Sequence, residues 1–338
     1  MNALYDYIVR FRSGTDLAET EAASFLDLLI TETDEENLRK LFLAWKAKGI
    51  AESELFGLAK IMRERCVPVR TSHTTFVDAV GTGGAKSKTF NVSTAAAFVI
   101  AGAGVPVAKH GNRAATSNSG AADVLAELGV DPAVDAATAG RCLDEVGICF
   151  MFAPNFHRLS PTLGKVRRGL GFPTIFNNLG PLCNPAGAPH QVVGVWSRDR
   201  LNQTAVALAR LGTRLSWVVN GDDGLDEITL NGATSVAEIR NGEVQCLEVH
   251  PEDFGIRQQT TAHLKVHNAA ESSKLIRGIL DNSLNGAARD LVLLNAAAAI
   301  YLSGRREELS GAAAAARESI ASGSALRKLQ ELAAATNA

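Results

Sequence analysis

Four stretches of the 338-residue chain carry residue types able to handle a charged ligand. In residues 80–94 (VGTGGAKSKTFNVST), Gly81, Gly83 and Gly84 follow an apolar run and precede Thr89, Asn91, Ser93 and Thr94. Glycines at this density let a backbone press against a ligand. Amides and hydroxyls at a helix start suit phosphate or pyrophosphate. The stretch is not a P-loop, since Lys86 follows Ala85 rather than glycine, and no GxGxxG stands where a dinucleotide fold needs one. The second stretch, residues 108–123 (AKHGNRAATSNSGAAD), gathers Lys109, His110, Asn112 and Arg113, then Thr116, Ser117 and Ser119. Its small residues Gly111, Ala114, Ala115, Gly120 and Ala121 leave room for a ligand, while lysine and hydroxyls suit a phosphate.

The third stretch, residues 220–228 (NGDDGLDEI), concentrates Asp222, Asp223, Asp226 and Glu227 beside Gly221 and Gly224. Adjacent Asp226 and Glu227 at a strand end suit Mg2+, a hard cation that shares oxygen ligands with substrate phosphates. An acidic surface turn is the alternative; the EF-hand pattern is absent. In the fourth, residues 165–185 (KVRRGLGFPTIFNNLGPLCNP), Arg167 and Arg168 precede a run of Gly, Asn and Pro. An arginine here suits bidentate pairing with a carboxylate. Donor-rich loops opposite an acidic metal loop are the equipment for displacing pyrophosphate, where positioning and electrostatics carry the catalysis.

The elements that hold these loops follow from periodicity. Residues 1 to about 70 read as short helices, with capping boxes expected at Asp16–Glu19 and Thr33–Glu36. Their apolar residues recur at helical spacing, as in Leu38, Leu41 and Trp45. Four such helices bury little alone, so they are expected to pack on the rest of the chain or on a second copy. From Phe76 onward, strand, glycine turn and helix alternate: FVDAV, VPVAK, GICFMF, VVGVW and LSWVVN are the strands. This alternation predicts an α/β fold, with a mostly parallel sheet covered by helices and ligands at the carboxyl ends of its strands. The Ala-rich tail reads as terminal helices.

Composition narrows the partners. A net charge of −2, with 46% hydrophobic and 21% charged residues, describes a soluble globular protein and disfavours nucleic acid as the main ligand. Five dispersed cysteines without a CxxC pair suggest reduced thiols, and no apolar run is long enough for a bilayer. No signal-peptide pattern opens the sequence. A cytoplasmic location without membrane contact is the expectation.

Taken in order, GTGG…KTFNVST, VAKHGNRAATSNSGAADVLAELG, VRRGLGFPTIFNNLGPLCNP and NGDDGLDE resemble the motifs of the anthranilate phosphoribosyltransferase family, over nearly the whole chain. The resemblance implies transfer of phosphoribose from phosphoribosyl pyrophosphate (PRPP) to anthranilate, in tryptophan biosynthesis. It implies a homodimer through the N-terminal helices. It also implies a helical small domain (1–72, joined by a segment near 161–185) and an α/β PRPP-binding domain (73–338). By the same resemblance PRPP lies against Gly81, Gly84, Ala85, Thr89, Asn91, Val92, Ser93 and Thr94, and against Lys109, His110, Gly111, Asn112, Arg113, Ala114, Ala115, Thr116, Ser117 and Ala121. Anthranilate lies against Gly81, His110, Asn112 and Arg167; Mg2+, as two ions, is held by Ser93, Asp226 and Glu227. No general base is implied, and Lys109, Asn112 and Arg167 are the positioning groups. Two departures stand out: Ala85 replaces the family's usual Asp, and Ala121 a frequent Ser. Alternatives are a phosphoribosyltransferase for another aromatic acceptor, a pyrimidine nucleoside phosphorylase of similar architecture, which needs no metal loop, and a nucleic-acid-binding paralogue with eroded metal residues.

Overall fold

The computed structural model describes residues 3–83, 89–113 and 119–338. The expected ligand contacts Gly84, Ala85, Ala114, Ala115, Thr116 and Ser117 lie outside the described residues.

Four helices open the chain: α1 (Ala3–Arg12), α2 (Ala22–Thr31), α3 (Glu35–Lys48) and α4 (Glu52–Arg65). Their starts correct the expected capping boxes. Asp34, not Thr33, caps α3, its Oδ1 accepting from the Glu36 and Asn37 N–H groups. Asp16 caps nothing; it pairs with Lys48, and Glu21 instead accepts from Ala18 N–H ahead of α2. The register slips because several acids and hydroxyls stand near each start and only the local backbone decides which one reaches the free amides.

The α/β part then runs β1 (Val77–Gly81), α5 (Val92–Gly102), β2 (Val107–Gly111), α6 (Ala121–Glu127), α7 (Ala136–Arg141), β3 (Ile148–Phe152), α8 (Ala153–Phe156), α9 (Pro161–Gly169), α10 (Ile175–Leu182) and β4 (His190–Gly194). It continues through α11 (Leu201–Arg210), β5 (Leu215–Gly221), β6 (Thr234–Arg240), β7 (Glu243–Val249) and helices α12 (Ala269–Leu280), α13 (Ala287–Leu302), α14 (Leu309–Ala321) and α15 (Ser324–Thr336). The sheet order is β3-β2-β1-β4-β5-β6-β7. Pairings from β3 to β5 are parallel, as expected, and the last two are antiparallel. The β6–β7 hairpin was not anticipated. Its turn carries Asn241 and Gly242 at φ 53° and 87°, the Asn-Gly hairpin signal, which the strand–helix alternation had overshadowed.

Each face of the sheet meets its own core. Val192, Trp217, Val219 and Val236 pack under α5 and α13 with α14 and α15. Val193, Val195, Val218, Ala237 and Ile239 face the N-terminal helices, joined there by α11 and by Leu163, Val166, Phe176 and Leu179 of α9 and α10. Strand order reverses between β1 and β4, since β1 leads outward to β2 and β4 leads the other way to β5. Such a switch point opens a crevice at the strands' carboxyl ends.

Candidate functional site

The crevice holds a cleft of about 280 Å³, lined from all four stretches. Gly81, Thr89, Asn91 and Ser93 come from the first, and Lys109, His110, Gly111, Asn112, Arg113 and Ala121 from the second. Arg167 comes from the fourth, and Asp226 and Glu227 from the third. More than a hundred residues of sequence separate the phosphate loop from the acidic loop, yet Gly83 N–H donates to Asp226 Oδ2 at 3.0 Å.

The acidic end is built around two neighbouring carboxylates. Glu227 Oε1 accepts from Ser93 N–H at 3.3 Å, while its Oε2 is enclosed with no hydrogen-bond partner. Burial, then the adjacent Asp226 charge, pushes the Glu227 pKa well above the usual carboxylate range. A bare, buried carboxylate oxygen beside a second carboxylate is relieved by a divalent cation, so these residues fit Mg2+. No third His, Cys, Asp or Glu joins them as a metal cluster among the described residues. The remaining coordination must then come from hydroxyl, water and ligand phosphate, as is usual for Mg2+.

Behind this pair lies a buried charge network. Lys109, 3% exposed, donates to Ala79 O at 2.7 Å and to Ser93 Oγ at 3.3 Å. Burial lowers its pKa, while Asp78 and Glu227 oppose that shift. Asp78 is wholly buried; it accepts from Asn184 Nδ2 at 2.8 Å and from His110 N–H, and burial pushes its pKa up to about 6. Lys109 thus lines the cleft, but its ammonium is held by the strand end and by Ser93. Its charge acts through Ser93 and Glu227.

The other end of the cleft is aromatic and cationic. Burial lowers the Arg167 pKa to about 10, its guanidinium lies 4.7 Å from the Phe176 ring centroid, and its enclosed Nε has no partner. His110 Nδ1 lies 3.0 Å from Gly180 O; a carbonyl only accepts, so Nδ1 carries the proton and Nε2 is a bare acceptor. Burial holds its pKa down at about 3. His157 packs against it, ring centroids 5.1 Å apart, with a pKa lowered to about 4 by burial and its own Nε2 unpartnered.

The family described as "Glycosyl transferase family, a/b domain" matches residues 73–326. An anthranilate phosphoribosyltransferase of Moorella thermoacetica is 43% identical over 95% of both chains, and one of Bradyrhizobium sp. is 44% identical over the full length of both. The chain belongs to the anthranilate phosphoribosyltransferase family. The crystal structure of the Thermus thermophilus enzyme of that name is 38% identical, with a TM-score of 0.89 over 98% of this chain and 100% of its own. The Saccharomyces cerevisiae enzyme, in complex with PRPP and Mg, is 28% identical, with a TM-score of 0.89 over 99% and 98%.

Not every contact expected from the resemblance lines the cleft. Val92 and Thr94 do not line the cleft: Val92 belongs to the core, and the buried Thr94 donates its N–H to Asn91 O. The Asn91 side chain ties the phosphate loop to its surroundings, its Oδ1 accepting from Ser119 Oγ and from Ser272 Oγ of α12. Asn112 turns its Oδ1 onto Arg113 N–H, and Arg113 NH1 reaches Asp123. Asp223 is occupied away from the cleft, accepting from the Thr229 hydroxyl and from the Thr261 hydroxyl of the segment after β7. Reasoning on sequence missed Thr82, Phe176 and Asn177 in the lining, and His157 behind His110. Asn177 Nδ2 donates to Thr82 O at 3.3 Å, joining α10 to the phosphate loop. The FNNLG string adjoined the quoted arginines and was the available signal; His157 had none.

Proposed function

We propose that the chain transfers the 5-phosphoribosyl group from PRPP to the amine of anthranilate, giving N-(5-phosphoribosyl)anthranilate and pyrophosphate in tryptophan biosynthesis. What carries the reading is one cleft with a cation-demanding end at Asp226 and Glu227 and an anion-accepting, aromatic-lined end at Arg167 and Phe176. The first suits a metal-bound pyrophosphate and the second an aromatic carboxylate. Asp226, Glu227 and the Ser93 hydroxyl would hold Mg2+, two ions in all with ligand oxygens completing the shells. Bound there, Mg2+ supplies charge neutralisation for a departing pyrophosphate.

The residues of the cleft then divide the tasks. Gly81 brings strand backbone close to the ribose phosphate side, and Thr89, Ser119 and Arg113 offer donors along the pyrophosphate. Lys109 keeps positive charge beside Ser93 and Glu227, opposing the burial that raises the Glu227 pKa, and a bound cation would complete the ionisation of that carboxyl. Arg167 pairs the anthranilate carboxylate, freeing its Nε from isolation. The bare Nε2 of His110 accepts from the acceptor's amine, holding its lone pair toward the ribose C1, and His157 packs behind the His110 ring. Both imidazoles stay neutral, so they repel no developing positive charge. The catalytic work is alignment of two substrates and stabilisation of the leaving group.

The small domain (1–72 with 161–185) carries Arg167 and Phe176 and would close toward 73–338, which carries the phosphate and metal loops. Tyr5, Val9 and Leu43 are large apolar side chains exposed on α1 and α3, and support a homodimer through those helices. Among the described residues no helix is long and apolar enough to cross a membrane; a cytoplasmic location is part of the proposal.

The test is anthranilate fluorescence followed in time with PRPP, with Mg2+ added or withheld. Loss of signal that requires both is the expected result, and Asp226→Asn should slow it most at limiting Mg2+. A signal that stays constant with both present rejects the acceptor, and an Mg2+-independent loss rejects the metal assignment.

A further inference from the structure

Gly194 lies at the carboxyl end of β4 and pairs with Gly81 on the adjacent parallel strand β1. It does not line the cleft. Neither glycine has a positive φ, so backbone conformation does not require them. Space does. A Cβ built on Gly194 would stand 1.6 Å from Asp226 O, 2.4 Å from its carbonyl carbon and 3.2 Å from its Cα. A Cβ on Gly81 would stand 2.8 Å from Asp226 Oδ2 and 3.3 Å from Cγ. The Asp226 main chain therefore rests on the bare Cα of Gly194, and its carboxylate on that of Gly81.

Hydrogen bonds clamp the same three segments. Gly194 O accepts from Thr82 N–H at 2.8 Å, and Asp226 Oδ2 from Gly83 N–H at 3.0 Å. Asn220 Nδ2 donates to Val195 O at 2.7 Å and reaches Leu225 O, tying the acidic loop to the residue after Gly194.

We propose that Gly194, together with Gly81, forms a two-glycine notch that seats Asp226, making Gly194 a positioning residue that fixes the metal-binding carboxylates against the phosphate loop. The inference rests on the functional reading above. Gly83 N–H is occupied by Asp226 rather than open to a phosphate, so the notch also sets the phosphate loop's own position. A methyl group at 194 meets backbone, which cannot rotate away, and must lift the Asp226 peptide from the sheet. A methyl group at 81 meets a side chain that can turn.

The experiment measures calorimetric binding of PRPP across an Mg2+ titration, with anthranilate binding followed separately by fluorescence, for wild type, Gly194→Ala and Gly81→Ala. Gly194→Ala should need about ten- to hundred-fold more Mg2+ for the same PRPP binding, a loss typical of disturbed ligand support. Its anthranilate affinity should stay within about two-fold, since Arg167 and the histidines lie on other elements. Gly81→Ala should shift the Mg2+ requirement in the same direction and by less. Circular dichroism and melting establish folding; should Gly194→Ala not fold, Gly81→Ala decides. Wild-type Mg2+ dependence in the folded variants overturns the notch. Loss of anthranilate and PRPP binding alike would mean general damage and also overturns it. Wild type that binds PRPP without regard to Mg2+ overturns the functional reading instead.

Discussion

His110 and His157 depart far from what their residue type suggests. An exposed histidine near pH 6.5 is a switch; these two are locked neutral by burial, with pKa values near 3 and 4. Each folded-state value lies below the unfolded one. The stability they permit is therefore complete above pH 6.5, the unperturbed value, and is lost as pH falls toward about 4 for His157. Asp78 acts in the opposite sense: its pKa is raised from 3.8 to about 6, so the folded state takes up a proton first on acidification and partly offsets the loss. His157→Asn should remove one of these terms. The slope of unfolding free energy against pH between 6.5 and 4 should fall by an amount approaching about 1.4 kcal/mol per pH unit. Urea titrations at several pH values measure it, and parallel curves for variant and wild type would refute the neutral assignment.

Single helices owe their placement to side chains from elsewhere. The last carbonyls of a helix lack partners within it, and at α10 three other elements supply them. His110 Nδ1 bonds Gly180 O, Gln191 Nε2 bonds Pro181 O, and Arg63 Nε bonds Leu182 O. The helix end that presents Gly180 and Pro181 to the cleft is thereby fixed from β2, β4 and α4. Glu54 plays a similar part in the N-terminal block. It is wholly buried and accepts from Leu17 N–H at 3.0 Å, Ala51 N–H at 2.9 Å and Trp45 Nε1 at 2.8 Å, with Lys48 Nζ 2.8 Å away. Glu54→Ala would leave the buried Leu17 N–H and Trp45 Nε1 and the half-buried Ala51 N–H unpaired, and Lys48 without its buried partner. The expected cost is about 3–5 kcal/mol, the range for breaking a buried charge pair. Chemical denaturation checks this; a loss below about 1 kcal/mol would mean that the network relaxes around the gap.

At the scale of the whole molecule, the sheet keeps two cores apart and puts the cleft where they meet. One face carries the helices behind the phosphate and metal loops, the other the helices that bring Arg167 and Phe176. The N-terminal helices add an outward surface of their own. Tyr5 and Val9, one turn apart on α1, and Leu43 on α3 are 53%, 47% and 50% exposed, the large apolar side chains most open to water among those described. In the proposed homodimer a second copy would cover this surface through a two-fold contact. Val9→Asp with Leu43→Asp should convert a dimer to a monomer in sedimentation velocity at micromolar concentration. Wild type sedimenting as a monomer there would reject the interface.

The sequence by itself determined the α/β alternation, the helical opening block and the four loops that meet in the cleft. These are local properties: glycine clusters, apolar period and charge are written in neighbouring residues. The β6–β7 hairpin is equally local, in Asn241 and Gly242, but its strands follow the acidic loop without a helix between and so break the alternation. Only the tertiary structure decided where side chains point. Lys109 reads as a phosphate ligand in its loop, yet its ammonium is held by Ala79 O and Ser93 Oγ. Val92 sits in a ligand-binding motif but fills the core, since a helix start at a sheet must bury one face. His157 and Gly194 carry no signal in their own neighbourhoods. Their importance arises from His110 and Asp226, brought against them by strand order and chain crossings that no short window of sequence encodes.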